Sequence, residues 1–222
     1  MTLVIAVRGQ DFVVLGADRR GTVQDSGDNT VSLNIFDKLI PINNRVAALM
    51  HGSAPAMRFL LEEVQATSGI ADLGVTAVAR RLVTSCRKEL RDIPIAARAA
   101  TPQFGIVVCG LDHKGRKWTP RCLGLSSYAG FWLESHSPFG IFGRPMIANY
   151  LFEKHYKTDS SEKHLAWLVA LALTETRRVD GFVGGNIQMV VIRKSGISDF
   201  DEDDVMGMIE EGEPTAPVQV IQ

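Results

Sequence analysis

The chain opens Met1-Thr2-Leu3-Val4-Ile5-Ala6-Val7-Arg8-Gly9-Gln10-Asp11-Phe12-Val13-Val14-Leu15-Gly16-Ala17-Asp18-Arg19-Arg20-Gly21-Thr22. Residues 3–7 and 12–17 are apolar runs of strand length. The polar turn between them contains glycine, so the pair predicts an antiparallel hairpin. Outward from it comes a polar loop over 24–30, rich in Asp, Ser, Gly and Asn, where regular structure is not expected. Two more short strands follow, 36–41 and 45–50, around Asn43-Asn44.

The period then changes. Ser53 suits an N-cap and Pro55 a first helical turn. Met57, Leu60, Leu61 and Val64 fall at i, i+3, i+4 and i+7, one face of a helix, and Gly69 is the expected stop. A second helix carries Val75, Val78, Leu82, Cys86 and Leu90 on one stripe and ends at Asp92-Ile93-Pro94. Strands return at 104–111, 118–125 and 130–135. A helix is expected from about Arg144, with Pro145 in its first turn and Ile147, Tyr150 and Leu151 on one face. Asp159 and Glu162 have capping-box spacing for the next helix, which runs to about Arg178. Residues 186–193 form a last strong strand, and 197–200 a short partner.

Strands grouped, then helices grouped, argue against a parallel α/β sheet. The order predicts an α+β fold: a four-layer αββα sandwich of two antiparallel sheets, each with a helix pair on its outer face. Sheets covered on both sides suit continuous apolar strands such as Ile106-Val107-Val108-Cys109. The expected organisation is one domain over 1–200 and an acidic tail over 201–222, frayed or docked on a neighbour.

Composition narrows the function. The chain has 222 residues, 45% apolar and 22% charged, enough for one sizeable core. A net charge of −1 gives no reason to expect nucleic acid or an acidic membrane surface as partner. The longest apolar helical stretch, 165–173, is too short to span a bilayer, and the N-terminus lacks the basic start of a secretory signal. Cys86, Cys109 and Cys122 are odd in number and widely spaced, as reduced core cysteines of a cytoplasmic protein would be. No histidine has metal-ligand spacing with Cys or acid, so neither metal nor cofactor is expected. His51 reads as a structural strand-end residue. Asp201-Glu202-Asp203-Asp204 lacks the Gly and the later Glu of a calcium loop, and Gly184-Gly185 has no phosphate-loop pattern around it.

Four motifs resemble the proteasome β-type subunit family of N-terminal-nucleophile hydrolases. They are Thr2 opening a hairpin that ends in Leu15–Thr22, Phe36-Asp37-Lys38-Leu39-Ile40-Pro41-Ile42, Met50-His51-Gly52-Ser53, and Val179-Asp180-Gly181-Phe182-Val183-Gly184-Gly185-Asn186. Their order and spacing carry the resemblance, which runs to about Asp199. About four extra residues fall in the loop between Asp18 and Lys38, where an insertion costs little. The αββα sandwich is also the fold of that family. The pattern is most similar to bacterial homologues that lack a separate α ring.

The resemblance implies a self-compartmentalising threonine endopeptidase. Thr2, freed by removal of Met1, is the nucleophile, and its own α-amine is the base. Lys38 supplies positive charge beside the hydroxyl, Asp18 holds Lys38, and the Gly52 N–H donates to the oxyanion at the start of the next helix. Asp180 belongs to the network around the amine. Gly21 and Thr22 bind an extended peptide as an added strand, Arg20 supports the site, and Met50 forms the base of an apolar side-chain pocket. The family's Gly-Ser-Gly turn is here Gly140-Ile141-Phe142-Gly143, and Val183 replaces a usual Ser before the double Gly. Two hydroxyls expected at the amine are therefore missing. The implied partners are copies of the chain in a double ring of twelve or fourteen, unfolded polypeptide as substrate, and an ATP-dependent unfoldase or other cap. Two alternatives stand beside this: a ring-forming subunit with weak or no peptidase activity, and a small-amide hydrolase of the same fold.

Overall fold

The computed structural model describes residues 2–24, 30–52, 54–91, 104–115, 117–127, 133–135 and 138–214. One sheet is built from β1 (Leu3–Arg8), β2 (Val13–Asp18), β10 (Phe139–Gly143), β11 (Ile187–Arg193) and β12 (Gly196–Phe200), in the order β10-β1-β2-β11-β12. The other contains β5 (Leu39–Asn43), β6 (Val46–Gly52), β7 (Phe104–Lys114), β8 (Lys117–Ser126) and β9 (Leu133–Ser135), in sequence order. All their pairings are antiparallel. A separate two-stranded ribbon joins β3 (Gly21–Gln24) to β4 (Thr30–Leu33).

Strand alternation divides the core into three apolar layers. Val4, Ala6, Leu15 and Val190 of the first sheet meet Leu49, Val107 and Cys109 of the second in the central layer. Leu3, Ile5, Val14 and Met189 point the other way, onto helices α3 (Met146–His155) and α4 (Glu162–Val179). Val46, Ala48, Ile106 and Val108 face α1 (Ala54–Gln65) and α2 (Val75–Arg91) through Met57, Leu61, Val78 and Leu82. The α+β layered architecture is therefore the expected αββα sandwich. Both faces of each sheet are covered, which is why strands such as Leu3–Arg8 are apolar at successive positions.

Several local details differ from the sequence reading. Residues 140–143, read as a turn, belong to strand β10, which pairs with β1. The ribbon β3–β4 flanks the stretch expected to be a loop, sharing only its end residues 24 and 30. In α3 the buried residues are Ala148 and Phe152, while Tyr150 is exposed, because the helix begins after Pro145 and presents the next stripe inward. The N-cap of α4 is Ser161, whose hydroxyl accepts from the His164 N–H, rather than Asp159. The acidic stretch after Asp201 is a helix over Glu202–Glu211, here α5, instead of a tail from its start. Asp201 and Asp204 form a reciprocal capping box, early acids favour the positive helix end, and Val205 is fully buried against the α4 layer. The first sheet thus carries a third helix. Residues 215–222, Met1, Ser53 and the 92–94 stop lie outside the described residues.

The three cysteines are buried and unpaired. Burial pushes the Cys86 thiol up to about 12. No helix among the described residues is long and apolar enough to cross a membrane.

Candidate functional site

The antiparallel register of β1 and β2 brings the start of the first strand beside the end of the second, with Val4 opposite Ala17. Asp18, the last residue of β2, therefore sits next to Thr2. Its carboxylate is 1% exposed and accepts five hydrogen bonds. Oδ1 takes the Thr2 hydroxyl at 2.7 Å, the Leu3 N–H at 2.8 Å and the Lys38 Nζ at 2.6 Å. Oδ2 takes the N–H groups of Arg20 at 3.2 Å and Gly184 at 3.1 Å. A charge so far from water needs such partners.

Lys38 precedes β5 and reaches across from the second sheet. It is 7% exposed, and its ammonium also donates to the Arg20 carbonyl at 2.5 Å. Its backbone N–H donates to the Gln188 side chain, whose amide in turn donates to Asp37. Burial pulls the Lys38 pKa below 10.5. Asp18 opposes this by attraction and hydrogen bonding, and the Arg20 charge adds to the lowering. The arrangement holds a cation and a hydroxyl against the same carboxylate oxygen, with all three groups largely buried.

Arg20 ties three segments together. Its guanidinium donates to Asn34 Oδ1 at 3.0 Å and to the Gly181 carbonyl at 2.7 Å. Gly21 lies opposite Leu33 and Thr22 opposite Ser32 in the ribbon, and the Phe36 ring fills the space where a Gly21 Cβ would stand. Gly52 ends β6 with φ 100, a backbone conformation that favours glycine, immediately before α1 begins. Met50 is 2% exposed and lies among Met57, Phe104 and Ile106 on the helix-facing side of its sheet.

Asp180 stands one step further out. It caps the end of α4 and accepts from the Phe182 N–H at 2.9 Å. Its other oxygen is 3.3 Å from Arg144 Nε, a charge pair without an aligned hydrogen bond. Arg144 links it to the start of β1, because its N–H donates to the Thr2 carbonyl at 2.9 Å and its guanidinium covers the Phe182 ring. Of the predicted residues, then, Thr2, Asp18, Lys38 and Arg20 are brought into one hydrogen-bonded group, and Asp180 joins through Arg144.

Four contributors were not singled out from sequence: the Leu3 and Gly184 N–H groups, Gln188 and Arg144. The first two act through backbone, which carries no side-chain signal. Arg144 became visible only when 139–143 proved to be a strand beside Thr2. Phe142 and Val183, where the family pattern has serines, are both packed. Phe142 stacks on His51, and Val183 is fully buried in the α4 layer.

A cavity of about 550 Å³ lined by Glu162, Arg193, Asp203 and Glu211 lies between α4 and α5 and includes none of these residues. Four of its charged side chains pair with one another, Arg193 with Glu162 and Lys163 with Glu211. Among the described residues no group of three His, Cys, Asp or Glu side chains is placed to hold a metal ion.

Comparison with known proteins adds an independent line. The chain is 26% identical over 199 residues to the proteasome subunit beta type-1 of Saccharomyces cerevisiae, covering 88% of this chain and 85% of the yeast one. The family model described as proteasome subunit matches residues 2–192, nearly the whole layered sandwich, and the chain therefore belongs to the proteasome subunit family.

Proposed function

We propose that the chain is a threonine-type endopeptidase acting through an acyl-enzyme on Thr2 once Met1 has been removed. The observation that carries this is the shared acceptor: Asp18 Oδ1 holds both the Thr2 hydroxyl and the Lys38 ammonium. In the reaction, the freed α-amine of Thr2 takes the hydroxyl proton as Oγ1 adds to the substrate carbonyl carbon. Its ordinary pKa of about 7.7–8.0 leaves a useful neutral fraction, which the nearby Lys38 charge enlarges. The carbonyl π pair moves onto oxygen, where the Gly52 N–H and the start of α1 stabilise it. The C–N bond then breaks, the proton passes to the leaving amine, and water hydrolyses the Thr2 ester to restore the site. Gly21 and Thr22, on the β3–β4 ribbon, receive the peptide as an added strand, and Met50 contributes to the floor of an apolar side-chain pocket.

Assembly accompanies this chemistry: copies of the chain form a double ring of twelve or fourteen in the cytoplasm, with unfolded polypeptide as substrate and an ATP-dependent unfoldase or other cap as feeder. Family membership and the 85% coverage of a named proteasome subunit support the reading. Intact mass before and after an electrophile directed at N-terminal threonine tests it. Loss of Met1 and one adduct are expected, both adduct and peptide cleavage vanishing in Thr2→Ala. A Met1-free protein that forms no adduct and cuts no peptide defeats it.

A second reading, a ring-forming subunit with weak or no peptidase activity, is favoured by one observation. Phe142 and Val183 supply packing where the family pattern supplies hydroxyls to the amine.

A further inference from the structure

Thr2 and Gly52 belong to different sheets, and two rings lie between their strand ends. Along β6, Ala47 and Leu49 face the inter-sheet layer and Met50 faces the helices, so His51 continues the inter-sheet set. Phe142 of β10 packs on the same layer. The two rings stack with centroids 5.2 Å apart and planes inclined by 7°. On β7 the register partner of His51 is Gly105, and a Cβ there would clash with the imidazole at its Nε2. The ring is therefore seated against bare backbone and held by Phe142. The next residue on each strand is a glycine at positive φ, Gly52 at 100° and Gly143 at 91°. Gly143 packs directly on Thr2, where any Cβ would strike the Thr2 carbonyl and lie 3.2 Å from its Cγ2. Two positive-φ glycines, one beside Thr2 and one whose N–H is the proposed oxyanion donor, thus each follow a member of a single stacked pair.

We propose that His51 is a positioning residue: its stack on Phe142 fixes the Gly52 N–H relative to the Thr2 hydroxyl. This rests on the threonine-peptidase reading above. As Oγ1 adds to the carbonyl carbon and the π pair moves onto oxygen, the donor is already in place, and a small displacement lowers the rate without altering how the peptide binds.

The test compares two reactions of the Met1-free protein. One is hydrolysis of a fluorogenic peptide amide, which needs the oxyanion donor. The other is labelling by a vinyl sulfone of the same peptide. There Oγ1 adds to the alkene carbon and the proton goes to its neighbour, with no oxyanion at Gly52. His51→Ala and Phe142→Leu are each expected to lower kcat about tenfold or more, with KM within about twofold and the labelling rate within about threefold. Phe142→Tyr, which keeps the ring, recovers hydrolysis. Where His51→Ala fails to fold, Phe142→Leu, close in volume, decides. With an active wild type, the role for His51 is overturned if hydrolysis and labelling fall together, if neither falls, or if Phe142→Tyr behaves like Phe142→Leu. A wild type that is neither labelled nor hydrolytic defeats the peptidase reading itself and this role with it.

Discussion

Asp18 organises the site at the scale of single residues. Its carboxylate neutralises Lys38 and orders the Thr2 hydroxyl with no water needed. Asp18→Asn leaves the buried ammonium unpaired and is expected to cost about 3–5 kcal/mol in denaturant unfolding. Adding Lys38→Met should restore part of that stability, since the orphaned charge goes with it; a double variant no more stable than the single one contradicts the account. Lys38 also sets a pH limit. Burial lowers its pKa, so as pH rises the charge beside Thr2 is lost before 10.5 is reached. In the proposed mechanism kcat/KM rises as the α-amine deprotonates, at or below its ordinary value of about 7.7–8.0 because the Lys38 charge favours the neutral amine. It falls again as Lys38 deprotonates. The alkaline limb of a pH–rate profile should therefore lie below 10.5, and a limb at or above that value removes Lys38 from the role. At Val183, restoring the family's hydroxyl is costly. Val183→Ser places an unpaired hydroxyl in the α4 layer and is expected to lower stability by about 1–3 kcal/mol in the same unfolding assay.

Among the elements, β10 matters most and was least visible. Phe139-Gly140-Ile141-Phe142-Gly143 has the glycines of a turn, and only pairing with β1 makes it a strand. Its last residue is at φ 91 against Thr2, so Gly143→Ala should cost roughly 1–3 kcal/mol and reduce Thr2 labelling as well, measured by melting and by adduct mass. On β6, burial holds the His51 imidazole below its ordinary 6.5. The unfolded chain then takes up the proton first, so stability contributed by the neutral ring is present above pH 6.5 and is lost as pH falls below it. The melting temperature of His51→Asn should decline less than that of the wild type from pH 6.5 downward. The hairpin, α1, α2 and the last long strand were legible because their apolar periods are strong. The β10 strand and the α5 helix were not, because glycine and acid runs mark turns and tails in isolation and take regular form only when a neighbour pairs with or covers them.

At the scale of the whole molecule, two sheets face each other and each is sealed by helices. Thr2, Asp18 and Lys38 gather where strand ends of both sheets meet. The proposed particle is checked by a sizing measurement, which should give a mass far above a dimer of 24.3 kDa chains. A species no larger than a dimer contradicts it. The sequence by itself determined the layered α+β fold, because unbroken apolar strands and 3.6-residue stripes leave few other ways to bury both sheet faces. It also placed Thr2, Asp18, Lys38 and Gly52 at recognisable spacings. Only the tertiary structure decided that Thr2 and Lys38 share one carboxylate oxygen, that Arg144 rather than Asp180 contacts the Thr2 backbone, and that Phe142 meets His51. Those contacts join residues from different strands and sheets, and distance across a sheet interface is fixed by packing, which local sequence does not encode.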